Sequence, residues 1–154
     1  QVMVTFSIKK FDVLTRNELH DLYALRAAVF VVEQDCVYQD IDGKDQDAFH
    51  VLGKQGDKLV AYARLLKKGD SYTDFVAIGR VVVADAHRGK SVGHDLFRFC
   101  LQDLQHRYPK EDIKISAQAH LEEFYKQHGF EKVGESYLED GIPHIGMIKK
   151  DQAN

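Results

Sequence analysis

Nothing in this sequence approaches the roughly 20 consecutive apolar residues that a membrane-crossing helix needs. The N-terminal residues also show no charged segment followed by a long apolar one. Neither a membrane partner nor a leader is therefore expected. Cysteine is scarce: Cys36 and Cys100 are the two among 154 residues, too few for a disulfide framework. The cytoplasm is accordingly the expected location. A large charge of one sign is missing too. The formal net charge is −3 and no basic run occurs, which speaks against a nucleic-acid partner. The eight histidines include no His-Glu-x-x-His or other clustered spacing, so no metal site is expected. Internal repeats, linkers and low-complexity segments are absent, and 154 residues suit one domain over 1–154. A chain of this length buries roughly 70% of its unfolded surface.

What is present centres on the stretch from Val76 to Leu104. Val76–Ala77–Ile78–Gly79–Arg80–Val81–Val82–Val83 is rich in β-branched residues and predicts a buried strand. The run breaks at Asp85–Ala86 and passes through Arg88–Gly89–Lys90–Ser91–Val92–Gly93. A helix follows, with Val92, Leu96, Cys100 and Leu104 as its apolar stripe, widened by Phe97 and Leu101. A helix N-terminus offers unpaired backbone N–H groups and partial positive charge, and Arg88 and Lys90 stand beside this one. The turn therefore predicts an anion site suited to a phosphate or pyrophosphate. Two common phosphate motifs do not fit. A P-loop ending at Gly89–Lys90–Ser91 requires glycine at 84, where Ala84 stands, and the dinucleotide fingerprint does not occur.

Around this centre, the alternation of Val4, Phe6 and Ile8 predicts a first strand. Thr15–Arg16–Asn17–Glu18 is a capping box, followed by Leu19, Leu22, Tyr23, Val29 and Phe30 as one helix face. Arg26 falls inside that face, where its head requires a carboxylate; Glu33 is the expected partner. Five aspartates then crowd one segment (Asp35, Asp40, Asp42, Asp45 and Asp47) against Lys44 alone. An EF-hand does not fit, because Gly43 lies at the fourth rather than the sixth position from Asp40. The segment is expected to be a solvated acidic turn, or in a functional version a rim that attracts a cationic amine. Phe49–Leu52 and Leu59–Leu66 predict a hairpin around Gly56–Asp57. Pro109 stops the central helix, Ile113–Ala117 alternate as a strand, and a short helix spans Ala119 to Gln127 before Gly129. Phe130–Tyr137 and His144–Ile148 predict two closing strands joined by residues 138–143.

Two motifs in this order resemble the GNAT superfamily of N-acetyltransferases. Arg88, Val92 and Gly93 match the acyl-CoA turn Arg/Gln-x-x-Gly-x-Gly/Ala that follows a strand, with Ser91 where the first glycine is usual. Serine is expected to be tolerated there in the right-handed region. Phe124–Tyr125–Lys126–Gln127–His128–Gly129–Phe130 resembles the Tyr-x-x-x-Gly-Phe element after the second cofactor strand. Further stretches resemble the ElaA-like branch: Leu25–Arg26 with 29–34, Tyr38–Gly43, Ile78–Val83, Ala117–Leu121 and Asp140–Met147.

That resemblance implies an α+β, single-domain GNAT fold, with a mixed, mostly antiparallel sheet flanked by helices on both faces. It implies that strands Ala77–Val83 and Ile113–Gln118 splay to admit a pantetheine arm, which pairs with backbone groups of Val81 and Val83. The implied cofactor-binding residues are Val81, Val82, Val83, Arg88, Gly89, Lys90, Ser91, Val92, Gly93, His94, Gln118 and Tyr125. Acetyl-CoA is the implied co-substrate and a primary amine, small or peptide, the acceptor; a homodimer stays open. The alternative is a non-catalytic CoA-sensing or partner-binding module, against which the presence of Tyr125 argues.

Direct attack on a thioester needs a neutral amine, and an amine with pKa near ~10 is about 0.1% neutral at pH 7, a deficit of roughly 4 kcal/mol. A base must take that proton and an acid must protonate the leaving thiolate. Tyr125 is the expected acid. Glu33 and His144 are the candidate bases, His50 is able to serve in the same way, and water is a route needing no single base.

Overall fold

Residues 3–151 are described in a computed structural model of the chain. Among them, runs rich in β-branched and aromatic residues form seven strands of one sheet. These are β1 (Thr5–Lys10), β2 (Phe49–Gln55), β3 (Lys58–Leu66), β4 (Val76–Val83), β5 (Ile113–Gln118), β6 (Glu131–Glu139) and β7 (Ile142–Lys149). Their order across the sheet is β1-β2-β3-β4-β5-β7-β6. Neighbours pair antiparallel apart from β4 and β5, which are parallel. A parallel pair needs a long crossover, and α2 (Val92–Arg107) supplies it.

Helices cover both faces, so β3 is buried from Leu59 to Leu66 without the usual alternation. On one face α1 (Arg16–Arg26) packs Leu22 into a cluster with Leu52, Leu59, Tyr62 and Val82. On the other, α2 buries Val92, Leu96, Phe97, Cys100 and Leu104 in the cluster that holds Ala61, Ala63, Ile115 and Tyr125. Each such side chain contributes roughly 1.5–3 kcal/mol by leaving water. The α2 stripe therefore fixes the turn at the head of that helix against β4. Tyr125 itself lies on the short helix α3 (Glu122–Lys126).

The capping box forms as expected: Glu18 N–H donates to Thr15 Oγ1 and Thr15 N–H donates to the Glu18 carboxylate, each at 3.0 Å. The helix does not run straight through Phe30, however. From Ala27 to Glu33 the backbone widens into π-helical turns, a conformation that concentrates at functional sites. The closing strands also differ from expectation. Asp140 (φ 51°) and Gly141 (φ 78°) make a two-residue turn, so β6 and β7 form a tight hairpin in place of a six-residue connection.

Arg26 corrects a further expectation. It is fully buried, but Glu33 is not its partner. Its Nε donates to Asp40 Oδ2 at 2.9 Å and its Nη1 to Asp45 Oδ1 at 2.8 Å. Arg64 donates to that same Asp45 oxygen at 3.0 Å and grips Asp42 with both terminal nitrogens. Arg80 Nε donates to Asp40 at 2.8 Å. The aspartate-rich segment is thus no solvated acidic rim. Asp40, Asp42 and Asp45 are matched by Arg26, Arg64 and Arg80, so the field expected to draw in cations cancels within a few ångströms.

This network sets a test. Burial acts to raise the Asp42 and Asp45 carboxyls, but hydrogen bonds from Arg64 and Arg26 outweigh it and hold both well below the usual carboxylate range. A carboxyl depressed in the folded state stabilises the fold above its unfolded value near ~4 and loses that contribution as pH falls. Asp45→Asn is expected to cost about 3–5 kcal/mol in urea unfolding at pH 7, because it strands two buried guanidinium groups. The variant should also show a shallower loss of stability below about pH 4 than the wild type.

Candidate active site

β4 and β5 pair only at Val76↔Ile113 and Ala77↔Lys114 and then part. From Ile78 onward, the side of β4 that faces β5 has no strand beside it. One extra residue in β4 opposite Ala63 makes a bulge, with Arg80 at φ 50°, and bulges bend a strand away from its neighbour. Beyond the bulge, Ala84 N–H donates to Val60 O at 2.8 Å. The two-residue alternation therefore turns the backbone groups of Val83, and of Val81, towards the gap. The Val82 side chain is buried under α1.

The basic turn lies at the end of this strand. Gly89 (φ 76°) and Ser91 (φ 65°) are both left-handed, which corrects the expectation of a right-handed serine. A non-glycine residue in this region costs roughly 1–2 kcal/mol. Ser91 is the N-cap of α2, and its side chain makes no capping hydrogen bond. The N–H groups of Val92, Gly93 and His94 have no acceptor within the helix. A Cβ at Gly93 would sit 3.8 Å from Phe124 and 3.9 Å from Val83, ordinary contact that leaves the approach to these N–H groups narrow but open.

Arg88 does not project freely into this space. Its Nε donates to Val83 O at 3.0 Å, and its terminal nitrogens hold Glu33 at 2.6 and 2.9 Å. The Arg88 hydrogen bond keeps the exposed Glu33 carboxyl below its ordinary value, making Glu33 a weaker proton acceptor than its position suggested. Lys90 is exposed and reaches Ala86 O at 3.4 Å. His94 Nδ1 lies 2.9 Å from His128 Nε2, with the two rings 5.0 Å apart.

Two cavities meet at the gap. One, of about 340 Å³, runs along Val81, Val82 and Val83 to Arg88 and Gly93, and is closed by Phe30 and Phe124. The other, of about 540 Å³, is floored by Leu66, Ala77, Gly79, Ser116 and His144. Gln118 and Tyr125 line both. Tyr125 is buried among Phe97, Phe124 and Phe130, and burial pushes its phenol up to about 12.

The histidines separate clearly. His50 is fully buried, with Nδ1 2.6 Å from Tyr62 Oη and Nε2 2.8 Å from Asp45 O, so both ring nitrogens are taken and it does not reach the site. His144 lines the larger cavity. Its Nδ1 donates to Ile142 O at 2.7 Å, which leaves Nε2 as the basic nitrogen, 3.5 Å from Glu139 Oε2. Glu139 Oε1 accepts from Ser116 Oγ at 3.0 Å, Ser116 also bonds Tyr137 Oη, and the Tyr137 ring stacks on His144. Glu139, Ser116 and Tyr137 were not singled out from the sequence. The signal was there in Asp140–Gly141: a two-residue hairpin turn fixes Tyr137 opposite His144 and Glu139 opposite Ile142.

A splayed parallel pair, an uncapped helix head and a tyrosine between two cavities point to one family, and comparison with known proteins decides it. The family model for the Acetyltransferase (GNAT) domain matches residues 14–151. The chain belongs to the GNAT acetyltransferase family. Within it the chain falls in the ElaA-like branch: it is 50% identical over 139 residues to Protein ElaA of Escherichia coli, covering 89% of this chain and 90% of that protein. The crystal structure of E. coli ElaA matches with a TM-score of 0.90 over 96% of this chain and all of the other. An acyl-CoA N-acyltransferase from Pseudomonas aeruginosa, 42% identical, matches with a TM-score of 0.90 over 96% of this chain and 99% of that one. The sheet and the three helices described above are this GNAT fold.

The left-handed Ser91 sets a test of the turn. Ser91→Gly is expected to leave stability within about 0.5 kcal/mol, the lost strain offsetting the added chain entropy. Ser91→Val, β-branched at positive φ, should cost about 1–2 kcal/mol in chemical denaturation.

Proposed function

We propose that the protein is an N-acetyltransferase that moves an acetyl group from acetyl-CoA to a primary amine by direct attack. The observation that carries this is the placement of Tyr125, which lines both cavities where they join. The smaller cavity fits the cofactor. Its far end holds the free N–H groups of α2 for the pyrophosphate. Its side is the backbone of Val81 and Val83, which no strand pairs and where Arg88 takes the Val83 carbonyl, and the amides of a pantetheine arm add there as a strand does. In this assignment Lys90 stands over the phosphates, Gly89, Ser91 and Val92 shape their turn, and Gln118 flanks the thioester. Arg88 exchanges Glu33 for phosphate oxygens. The relation to an acyl-CoA N-acyltransferase supports the same class of donor.

The amine then occupies the larger cavity. His144 Nε2 takes a proton from the amine nitrogen as the C–N bond forms, and Tyr125 gives its proton to the departing sulfur. A phenol held at about 12 stays protonated at neutral pH, as an acid must. The products are the N-acetyl amine and CoA thiol, and exchange with solvent resets both residues. Glu33 is held and depressed by Arg88 only until phosphate takes that arginine, but it lines the cofactor groove and not the larger cavity, which leaves His144 as the base beside the amine. A non-catalytic CoA-binding module is the second reading, favoured by the same groove but leaving the buried phenol and imidazole of the larger cavity without a task.

Two measurements test the assignment. In isothermal titration, Gly93→Glu should abolish CoA binding, because its carboxylate enters the anion site, whereas Gly93→Ala should still bind, its added methyl meeting only ordinary contacts. Tyr125→Phe should lower kcat by about 10²–10⁴-fold with CoA affinity nearly unchanged. A loss under about tenfold would make Tyr125 a packing residue.

A further inference from the structure

Resting on the acetyl transfer proposed above, we propose that Glu139 is the positioning residue that makes His144 a competent base. Its carboxylate faces the positive charge that forms on the imidazole when Nε2 accepts the amine proton. Three observations combine. The Nδ1–H bond to Ile142 O, at 2.7 Å, fixes the neutral tautomer with the Nε2 lone pair free. Glu139 Oε2 lies 3.5 Å from that nitrogen, on the adjoining strand of the same hairpin. Ser116 Oγ, itself held by Tyr137, donates to the other oxygen at 3.0 Å and so orients the carboxylate.

The order of these groups decides the chemistry. In a serine nucleophile system the imidazole stands between hydroxyl and carboxylate. Here the carboxylate stands between hydroxyl and imidazole, so Ser116 serves as a donor to Glu139 and is not activated by His144. The step is a single proton transfer: the amine N–H bond breaks, the Nε2–H bond forms, and the new imidazolium faces Glu139. His144 is nearly buried while the Glu139 side chain is 47% exposed, so the anion acts across a partly solvated gap and its effect on the imidazolium is moderate.

Other groups around the cavity do not supply it. Arg64 and Arg80 on the far wall are matched by Asp42, Asp45 and Asp40. Lys44 carries the same sign as the imidazolium and opposes its formation, and the Asp140 carbonyl is taken by Cys36 Sγ at 3.4 Å. Burial pushes the phenols of Tyr38, Tyr72 and Tyr125 to about 12, so they stay neutral. Glu139 is the carboxylate in contact with His144 Nε2.

The test is a ¹⁵N NMR titration of His144 in the free, full-length protein, wild type and Glu139→Gln, paired with pH profiles of kcat/KM for CoA release from acetyl-CoA with an amine panel. The glutamine keeps size and exposure but not charge. Its imidazolium should be less stable, so the His144 midpoint should fall by about 0.5–1 pH unit. The acidic limb of kcat/KM should move down by the same amount, with the plateau about threefold to tenfold lower. Glu139→Asp should recover part of the shift. Equal midpoints in wild type and Glu139→Gln, with turnover intact, would overturn the role of Glu139 alone. A wild type that releases no CoA with any amine would overturn the transfer itself, whatever the NMR coupling shows.

Discussion

The parting of β4 and β5 after two residue pairs is the constraint on which the rest depends. A parallel pair inside a sheet normally continues for as long as both strands last, because each unpaired buried amide costs roughly 1–3 kcal/mol. Here the pairing stops at Ala77↔Lys114 although both strands run on, to Val83 and Gln118. The fold tolerates this because β3 holds β4 on its other side and β7 holds β5 on its own. Each strand keeps one full ladder, and the open edges face cavities instead of packed apolar core. The bulge at Arg80 turns β4 out of line with β5, and Arg80 itself is tied to Asp40 so that the bulge does not relax.

That tie connects the gap to the charged interior. Arg26, Arg64 and Arg80 descend from three different elements (the end of α1, β3 and β4) and meet one loop through Asp40, Asp42 and Asp45. A loop of that composition has little apolar area with which to fold onto the sheet. Ion pairs substitute for it, at the risk that removing one partner strands the others. The outcome is a wall for the larger cavity made from backbone and neutralised charge. Three of the five aspartates are thus spent on arginines, so the segment offers far less negative field to an approaching cation than its composition suggests.

Much of the strand–turn–helix unit to which the proposed function gives the cofactor was legible from residue order because it is local. Strand, basic glycine turn and amphipathic helix lie within thirty positions, Val76 to Leu104, and their geometry follows from short-range rules of period and helix polarity. The capping box at Thr15 and Glu18 was legible for the same reason. Of the residues that line the larger cavity alone, only His144 was singled out in the sequence as a catalytic candidate, because Arg64, Arg80, Ser116 and Glu139 are brought to it by the sheet order alone. Burial of Arg26 was foreseen from its place in an apolar stripe, but its partner was not. The π-helical turns after Arg26 rotate Glu33 away, and no spacing rule announces such a widening. Glu33 was then captured by Arg88, 55 positions along the chain.

The two cavities also differ in how their side chains are held, and the difference fits the role proposed for each. The anion turn holds Arg88 and Glu33 in an exposed pair, of the kind that typically contributes under ~1 kcal/mol and exchanges readily. Under the proposed function a phosphate displaces Glu33 from Arg88 at little cost, so cofactor entry would not have to break a strong bond. The acceptor side holds its imidazole buried, tautomer fixed, with its carboxylate steadied by Ser116. A base must present one nitrogen in one direction at each turnover, since a displacement near 1 Å is enough to cost about 10²-fold in rate. The β6–β7 hairpin suits that proposed role through backbone register, since a two-residue turn keeps the Glu139 and His144 backbones on neighbouring positions and Ser116 holds the Glu139 carboxylate.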